Sequence, residues 1–302
     1  MTNEQFLHIM RQQLQAGTKN VMTETTQRTA PRSSQQLIAG ESADVAERPT
    51  YYFIISAGRT ATVFLSRELS RLYPHLCCWH EPPPARFELM LANLRNDWSL
   101  GRGTLERWFL RTRRRRMASL ARGRQYVEVN PMLCPLADLL PELPGRVRVI
   151  HLVRHAESWA QSILKFKASG FRRHVIDYLP MATPFPSPRP SGWRRLPASA
   201  KALWRWRHCN EQIAALATRC DHYTRLRFED LMSDDDQACR AAATAFLTGL
   251  DIPDLGPSDL DAWRRLVSRP KQNAAPDGEM PHIDAPLVQQ ICGDLLAQYG
   301  YA

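Results

Sequence analysis

The chain has 302 residues, 44% of them hydrophobic, which is enough to bury a full core in one large domain. Lys and Arg number 40 against 30 Asp and Glu, so the net charge of +10 sets up a field that draws anions, whether nucleotide, acidic glycan or nucleic acid. No stretch approaches the ~18 apolar residues of a membrane span, and seven cysteines without CxxC spacing argue against a zinc site and against a complete disulfide framework. The polar N-terminus lacks the apolar core of a signal peptide, so the expected location is cytoplasmic, with reduced and mostly buried thiols.

Residues 1–48 are rich in Gln, Thr, Ser and charge and carry no sustained apolar period after Phe6–Met10, which predicts a flexible N-terminal arm. A single α/β domain is expected over 49–302. Strands are predicted at Tyr51–Ser56, Leu76–Trp79, Gln125–Val129, Val147–Val153 and Tyr223–Phe228, each rich in β-branched, aromatic or long apolar residues. Helical patterns follow at Thr60–Leu72, Pro131–Leu140, Ala156–Lys167, Ser199–Thr218, Asp236–Leu250 and Ala285–Tyr299. This alternation predicts a three-layer α/β/α fold around a mainly parallel sheet of about five strands. Two stretches interrupt it: an Arg-rich, helical insertion at 102–124, and a loop at 179–197 whose prolines forbid regular structure and which reads as either a lid or a disordered segment.

The first strand runs into Ser56-Ala57-Gly58-Arg59-Thr60-Ala61-Thr62-Val63, a sharp turn through small residues into a helix. Backbone N–H groups at such a turn lack internal partners and point at an anion, while Arg59 supplies charge and Thr60 and Thr62 supply hydroxyls. The Walker pattern GxxxxGK[ST] is absent, because no Lys follows the loop and the basic residue stands early. The fourth strand ends at Arg154, and the helix after it carries Ser162, a little over two turns on.

Together these motifs resemble the sulfotransferase family. The loop at Gly58–Thr62 is similar to that family's 5′-phosphosulfate-binding loop, and Arg154 with Ser162 resembles its 3′-phosphate-binding signature. A third fragment, Tyr223–Leu231, resembles the strand with Glu-Asp-Leu that follows the cofactor motifs, where Glu229 and Asp230 read as caps of the next helix. The resemblance covers roughly residues 50–232. It implies a P-loop-like fold and a sulfotransferase that uses 3′-phosphoadenosine 5′-phosphosulfate (PAPS) as donor, with adenosine 3′,5′-bisphosphate (PAP) as product and no metal. Gly58, Arg59, Thr60, Ala61, Thr62, Val63, Arg154 and Ser162 would bind the donor, with Arg59 also at the departing oxygen. The sequence departs from the family at Ala61, where many members have Gly, and in lacking a Gly- and Lys-rich C-terminal loop, for which Ser268–Asn273 is the nearest substitute.

A donor phosphorylated at both ends of one ribose needs two anion sites on the same sheet edge, and a general base should project from a neighbouring strand end. His80 and Glu81, in Cys77-Cys78-Trp79-His80-Glu81-Pro82, are placed there. Glu81 is the first choice, because a Glu-Pro after the second strand is similar to carbohydrate sulfotransferases; His80 is the second, since imidazole suits proton transfer near neutral pH. Glu128 reads as an acceptor contact or a salt-bridge partner, and Asn130 as a helix cap ahead of Pro131.

The rival readings are a P-loop kinase or NTPase, and a basic nucleic-acid-binding protein built on Trp108–Arg116, where clustered Arg follows two aromatics. Nucleic acid is the less expected partner. A solvated helix face explains those arginines, as does attraction of an acidic acceptor.

Overall fold

The computed structural model describes residues 48–98, 102–165, 185–252, 255–268 and 281–301. Contacts divide the chain between Glu47 and Arg48, and every described residue belongs to the second unit; 1–47 of the expected arm, 179–184 of the Pro-rich loop and 269–273 lie outside the described residues.

Five strands, β1 (Thr50–Ser56), β2 (Leu76–His80), β3 (Gln125–Val129), β4 (Arg146–Val153) and β5 (His222–Arg227), form one sheet in the order β2-β3-β1-β4-β5. All four pairings are parallel. The longer helices are α1 (Thr62–Leu72), α2 (Ala85–Trp98), α3 (Arg102–Ala118), α4 (Ala156–Lys165), α5 (Ala198–Ala214), α6 (Asp236–Gly249), α7 (Pro257–Val267) and α8 (Ala285–Gln298), with a single helical turn at Phe228–Leu231.

The central strand explains the layering. Tyr52 and Ile54 of β1 join a core built with α1, α6 and α7, while Tyr51, Phe53 and Ile55 join one built with α2, α3 and α5. Covered on both faces, β1 reads as an unbroken apolar run instead of an alternating one. Each such side chain contributes about 1.5–3 kcal/mol by leaving water. A third cluster packs α4 against α5 and α8 through Trp159, Trp206 and Tyr299.

The strands match expectation to within a residue or two, and several helices differ for physical reasons. Helix α1 starts at Thr62, not Thr60, because Ala61 takes the left-handed conformation at φ 54°. Pro131–Glu142 is a 3-10 segment instead of an α-helix, since Pro135 and Pro141 inside it break the i→i−4 ladder. The Arg-rich helix ends at Ala118, and Ala215–Thr218 tightens into 3-10 after α5. Helices α2 and α7 were not expected.

The described part of the Pro-rich loop, 185–197, is anchored to the domain by contacts of its aromatic side chains and backbone. Phe185 and Trp193 are buried edge-on to one another at 6.3 Å, and the Phe185 amide donates to Asn93 Oδ1 of α2 at 3.3 Å. Among the cysteines, all seven are free thiols, with Cys134, Cys209, Cys239 and Cys292 buried. No described helix is long and apolar enough to cross a membrane.

Candidate functional site

In this sheet order the chain leaves β1 toward β2 on one side and β4 toward β5 on the other, so the carboxyl ends of β1 and β4 flank a crevice at the topological switch point. The phosphate loop leaves β1 there, and Arg154 leaves β4.

The loop is held in shape from within. Ser56 Oγ accepts from the Gly58 amide at 3.0 Å and from Thr60 Oγ1 at 2.7 Å. Gly58 at φ 90°, Arg59 at φ 58° and Ala61 at φ 54° coil the backbone through left-handed conformations that only the first adopts freely. The buried Thr60 hydroxyl is therefore a brace of the loop and not the free phosphate donor expected of it, and the Gly58 amide is likewise committed. What remains for an anion is the first turn of α1. The amides of Thr62, Val63 and Phe64 precede the first intrahelical bond, from Leu65 to Ala61, and Ala61 offers no side-chain cap. Val63 itself is exposed.

Arg59 and Arg154 meet at this crevice. Arg154 Nη1 donates to the Arg59 carbonyl at 2.9 Å and its Nε to Ser158 Oγ at 3.2 Å. Arg59 Nε donates to Ser162 Oγ at 3.0 Å. Burial lowers the pKa of Arg59, and the neighbouring Arg154 charge lowers it further. Burial also lowers that of Arg154, against the opposing pull of Glu229 and Tyr301. Two guanidiniums crowded in this way favour an anion between them. Arg59 thus links the two expected cradles: its backbone belongs to the loop, and its side chain reaches the Ser162 side.

The backbone around Arg154 is gripped at three successive residues. Tyr301 Oη lies 3.0 Å from the Val153 carbonyl, the Trp206 indole donates to the Arg154 carbonyl at 2.8 Å, and the His155 amide donates to Glu229 Oε1 at 2.9 Å. The Trp159 indole donates to the Gly58 carbonyl at 2.8 Å, tying α4 to the loop. Sequence reasoning missed Ser158, Trp159, Trp206 and Tyr301. Trp159 could have been found three positions before Ser162 on the same helix face; Trp206 and Tyr301 carry no local signal. Glu229 was assigned to capping, a reading the structure corrects: Asp235 caps α6 by accepting from the Ala238 amide at 2.7 Å, and Asp230 pairs with Arg227.

On the other side of the loop, β2 ends in His80, whose Nε2 is 3.2 Å from Thr62 Oγ1 and 3.9 Å from Glu81 Oε1. Burial lowers the His80 pKa, with Glu81 pulling it back, so the imidazole is neutral near pH 7. Glu81 takes φ 42°, held by its amide's 3.3 Å bond to the Val129 carbonyl. A non-glycine residue costs of order 1–3 kcal/mol in such a conformation. Thr62, His80 and Glu81 thus lie on the β2 side of the loop, and Arg59, Arg154 and Ser162 on the β4 side.

Glu128 is not an acceptor contact. It is fully buried, with Oε1 2.8 Å from Arg113 Nη2 and 2.9 Å from Asn130 Nδ2, and Oε2 2.5 Å from Tyr126 Oη. Arg113 also pairs with Glu88. Burial alone would raise the Glu128 pKa, but the Arg113 charge holds it below the usual carboxylate value. Asn130 caps Pro131–Glu142 as expected, its Oδ1 accepting from the Met132 amide at 2.9 Å.

No family model matches this sequence, and no curated protein matches it. Among solved structures, the chain is similar to a sulfotransferase domain from the Synechococcus PCC 7002 olefin synthase at 18% identity and TM-score 0.41, covering 85% of this chain and 98% of that one. It is also similar to a sulfotransferase domain from the curacin biosynthetic pathway at 14% identity and TM-score 0.42, covering 83% and 98%.

Proposed function

We propose that this protein is a sulfotransferase that carries a sulfuryl group from PAPS to a hydroxyl or amine. The observation that carries this reading is the contact of Arg154 Nη1 with the Arg59 carbonyl, which joins a strand-end arginine to the phosphate loop at one sheet edge. A donor with phosphate on both sides of its ribose fits two linked anion sites better than a donor with a single phosphate chain does.

The residues fit the donor chemically. The first-turn amides of α1, with Thr62, would hold the phosphosulfate, and Arg154, Ser158 and Ser162 would hold the 3′-phosphate. When bound, the donor supplies an electrophilic sulfuryl group and a phosphate leaving group. Arg59 and the first-turn amides of α1 stabilise charge as it grows on the departing oxygen. Glu81 takes the acceptor proton, and His80, engaged with Thr62, positions that hydroxyl.

The test is calorimetry with adenosine 3′,5′-bisphosphate. Wild-type protein binds it, and Arg154→Ala weakens binding by tenfold or more while leaving the fold intact by circular dichroism. Equal affinity for the two proteins overturns the reading, as does a preference for ATP over the bisphosphate, which would point to the kinase or NTPase rival.

A further inference from the structure

The segment 102–124 holds nine Arg, no Lys and the single acid Glu106. Glu106 turns toward Arg95, at 3.7 Å. Arg113 is drawn into the core by Glu88 and Glu128, which leaves Arg107, Arg111, Arg114, Arg115, Arg122 and Arg124 exposed. None of these six has a carboxylate partner among the described residues. Arg107, Arg111 and Arg115 follow one another at single-turn spacing on α3, with Arg114 beside them, and so form a stripe of planar, fork-shaped donors suited to carboxylate or sulfate.

The helix that carries this stripe reaches the acceptor side of the proposed site through a neighbouring residue, Arg116. Arg116 donates to the carbonyl of Pro83, two residues beyond Glu81, and it acts on the buried Glu128 carboxyl from nearby. Trp79 pairs in register with Glu128 on β3, and partners in a parallel ladder share a face. Trp79 therefore stands on the face that α3 covers, one residue before His80, and it is 38% exposed. An indole left in water beside a strand end is a stacking surface for the apolar face of a ring.

We infer that the acceptor is an acidic glycan, a chain of carboxylated or sulfated sugars that lays one ring on Trp79 and its charges along α3. This rests on the sulfotransferase reading, whose own test is the bisphosphate titration. Charge alone would suit an acidic peptide or nucleic acid equally; the exposed indole next to the proposed base is what favours a sugar. The chemistry balances as sulfuryl transfer: a sugar oxygen or nitrogen forms the new bond to sulfur, the bond from sulfur to the donor's phosphate oxygen breaks, and the proton passes to Glu81.

The experiment measures binding of a heparin oligosaccharide, polyglutamate of matched charge and a short DNA duplex to the full chain by calorimetry at fixed salt. Expected is a tenfold or greater preference for the oligosaccharide over polyglutamate and DNA. Arg111→Glu with Arg115→Glu should weaken oligosaccharide binding at least tenfold, and Trp79→Ala about fivefold. The same charge reversal at Arg146 and Arg265, exposed elsewhere, should weaken it less than twofold. Bisphosphate affinity should be unchanged in all three variants, which also shows that they are folded. Equal binding of the three polymers, equal loss from both double reversals, or no loss with Trp79→Ala overturns the inference. Failure of bisphosphate binding in the wild type overturns the underlying sulfotransferase reading instead.

Discussion

Tyr301 Oη lies 2.6 Å from Glu229 Oε2, and this pair closes a clamp on the backbone on either side of Arg154. The His155 ring packs edge-on to Tyr301 at 5.3 Å. The clamp joins the end of β5 to the tail after α8, so residues far apart in the chain fix the angle at which one guanidinium leaves the sheet.

If that clamp sets the site, loosening it should weaken nucleotide binding without unfolding the domain. Tyr301→Phe and Glu229→Gln each remove hydrogen bonds worth about 0.5–1.5 kcal/mol. Bisphosphate affinity should fall by roughly threefold to tenfold in each, and the double variant by less than the product because the two share one network. Calorimetry and thermal melting on the same samples check this; lower stability with unchanged affinity would make the clamp merely structural.

Glu81 and His80 are separable by rate and by pH. With Glu81 as base, Glu81→Gln should lower turnover by roughly 10²- to 10⁴-fold with bisphosphate affinity retained. His80→Asn should raise KM for the donor more than it lowers kcat, since its contact is to Thr62. Steady-state kinetics with a sulfated product readout decide it; the reverse pattern would move the proton to His80.

The core of this fold holds a full ionic cluster, Arg113 with Glu88 and Glu128, under the Arg-rich helix. Removing one partner from such a cluster strands the others without water. Arg113→Ala should therefore destabilise the protein by about 3–5 kcal/mol, whereas Arg114→Ala, one residue along and exposed, should change stability by less than about 0.5 kcal/mol. Urea denaturation of the two variants is the measurement.

His151 gives an acid limit to stability. It is fully buried, with Nδ1 2.7 Å from Tyr223 Oη and Nε2 2.9 Å from Asn210 Oδ1, and burial pushes its pKa down to about 3. In the unfolded chain the ring titrates near its ordinary value of about 6.5. Between those values the unfolded state binds the extra proton, so stability contributed by neutral His151 is present above about pH 6.5 and drains away as pH falls toward 3, by up to about 1.4 kcal/mol per unit. A His151→Gln variant should start less stable but show a shallower acid slope in urea titrations at stepped pH.

Much of this architecture was legible because strands buried on both faces announce themselves as short apolar runs, and Tyr51–Ser56 and Val147–Val153 do so plainly. The two helices that escaped, α2 and α7, have weaker signals: α2 follows three prolines, and α7 begins at Pro257, behind Gly256, in a stretch that resembles a loop. In the candidate site, the placement of Gly58–Thr62, Arg154 and Ser162 at one sheet edge was readable because they sit on one strand-turn-helix each. Which atoms of the loop are free was not readable, since Thr60 and Gly58 are consumed by Ser56 through contacts that depend on the coiled backbone. Glu128 left two readings open in the same way, for a carboxylate in a strand looks alike whether it meets a substrate or a buried arginine 15 residues away in the chain, and the structure shows the arginine.

Ala61 keeps a methyl group in a conformation where glycine would be easier. A glycine there would relax the bound shape but would also multiply the shapes open to the empty loop. The alanine narrows that choice beforehand, so an arriving anion meets amides already turned outward and forfeits little freedom in ordering them. If the proposed nucleotide binds here, its capture should be rapid, which is the kinetic face of that stiffness.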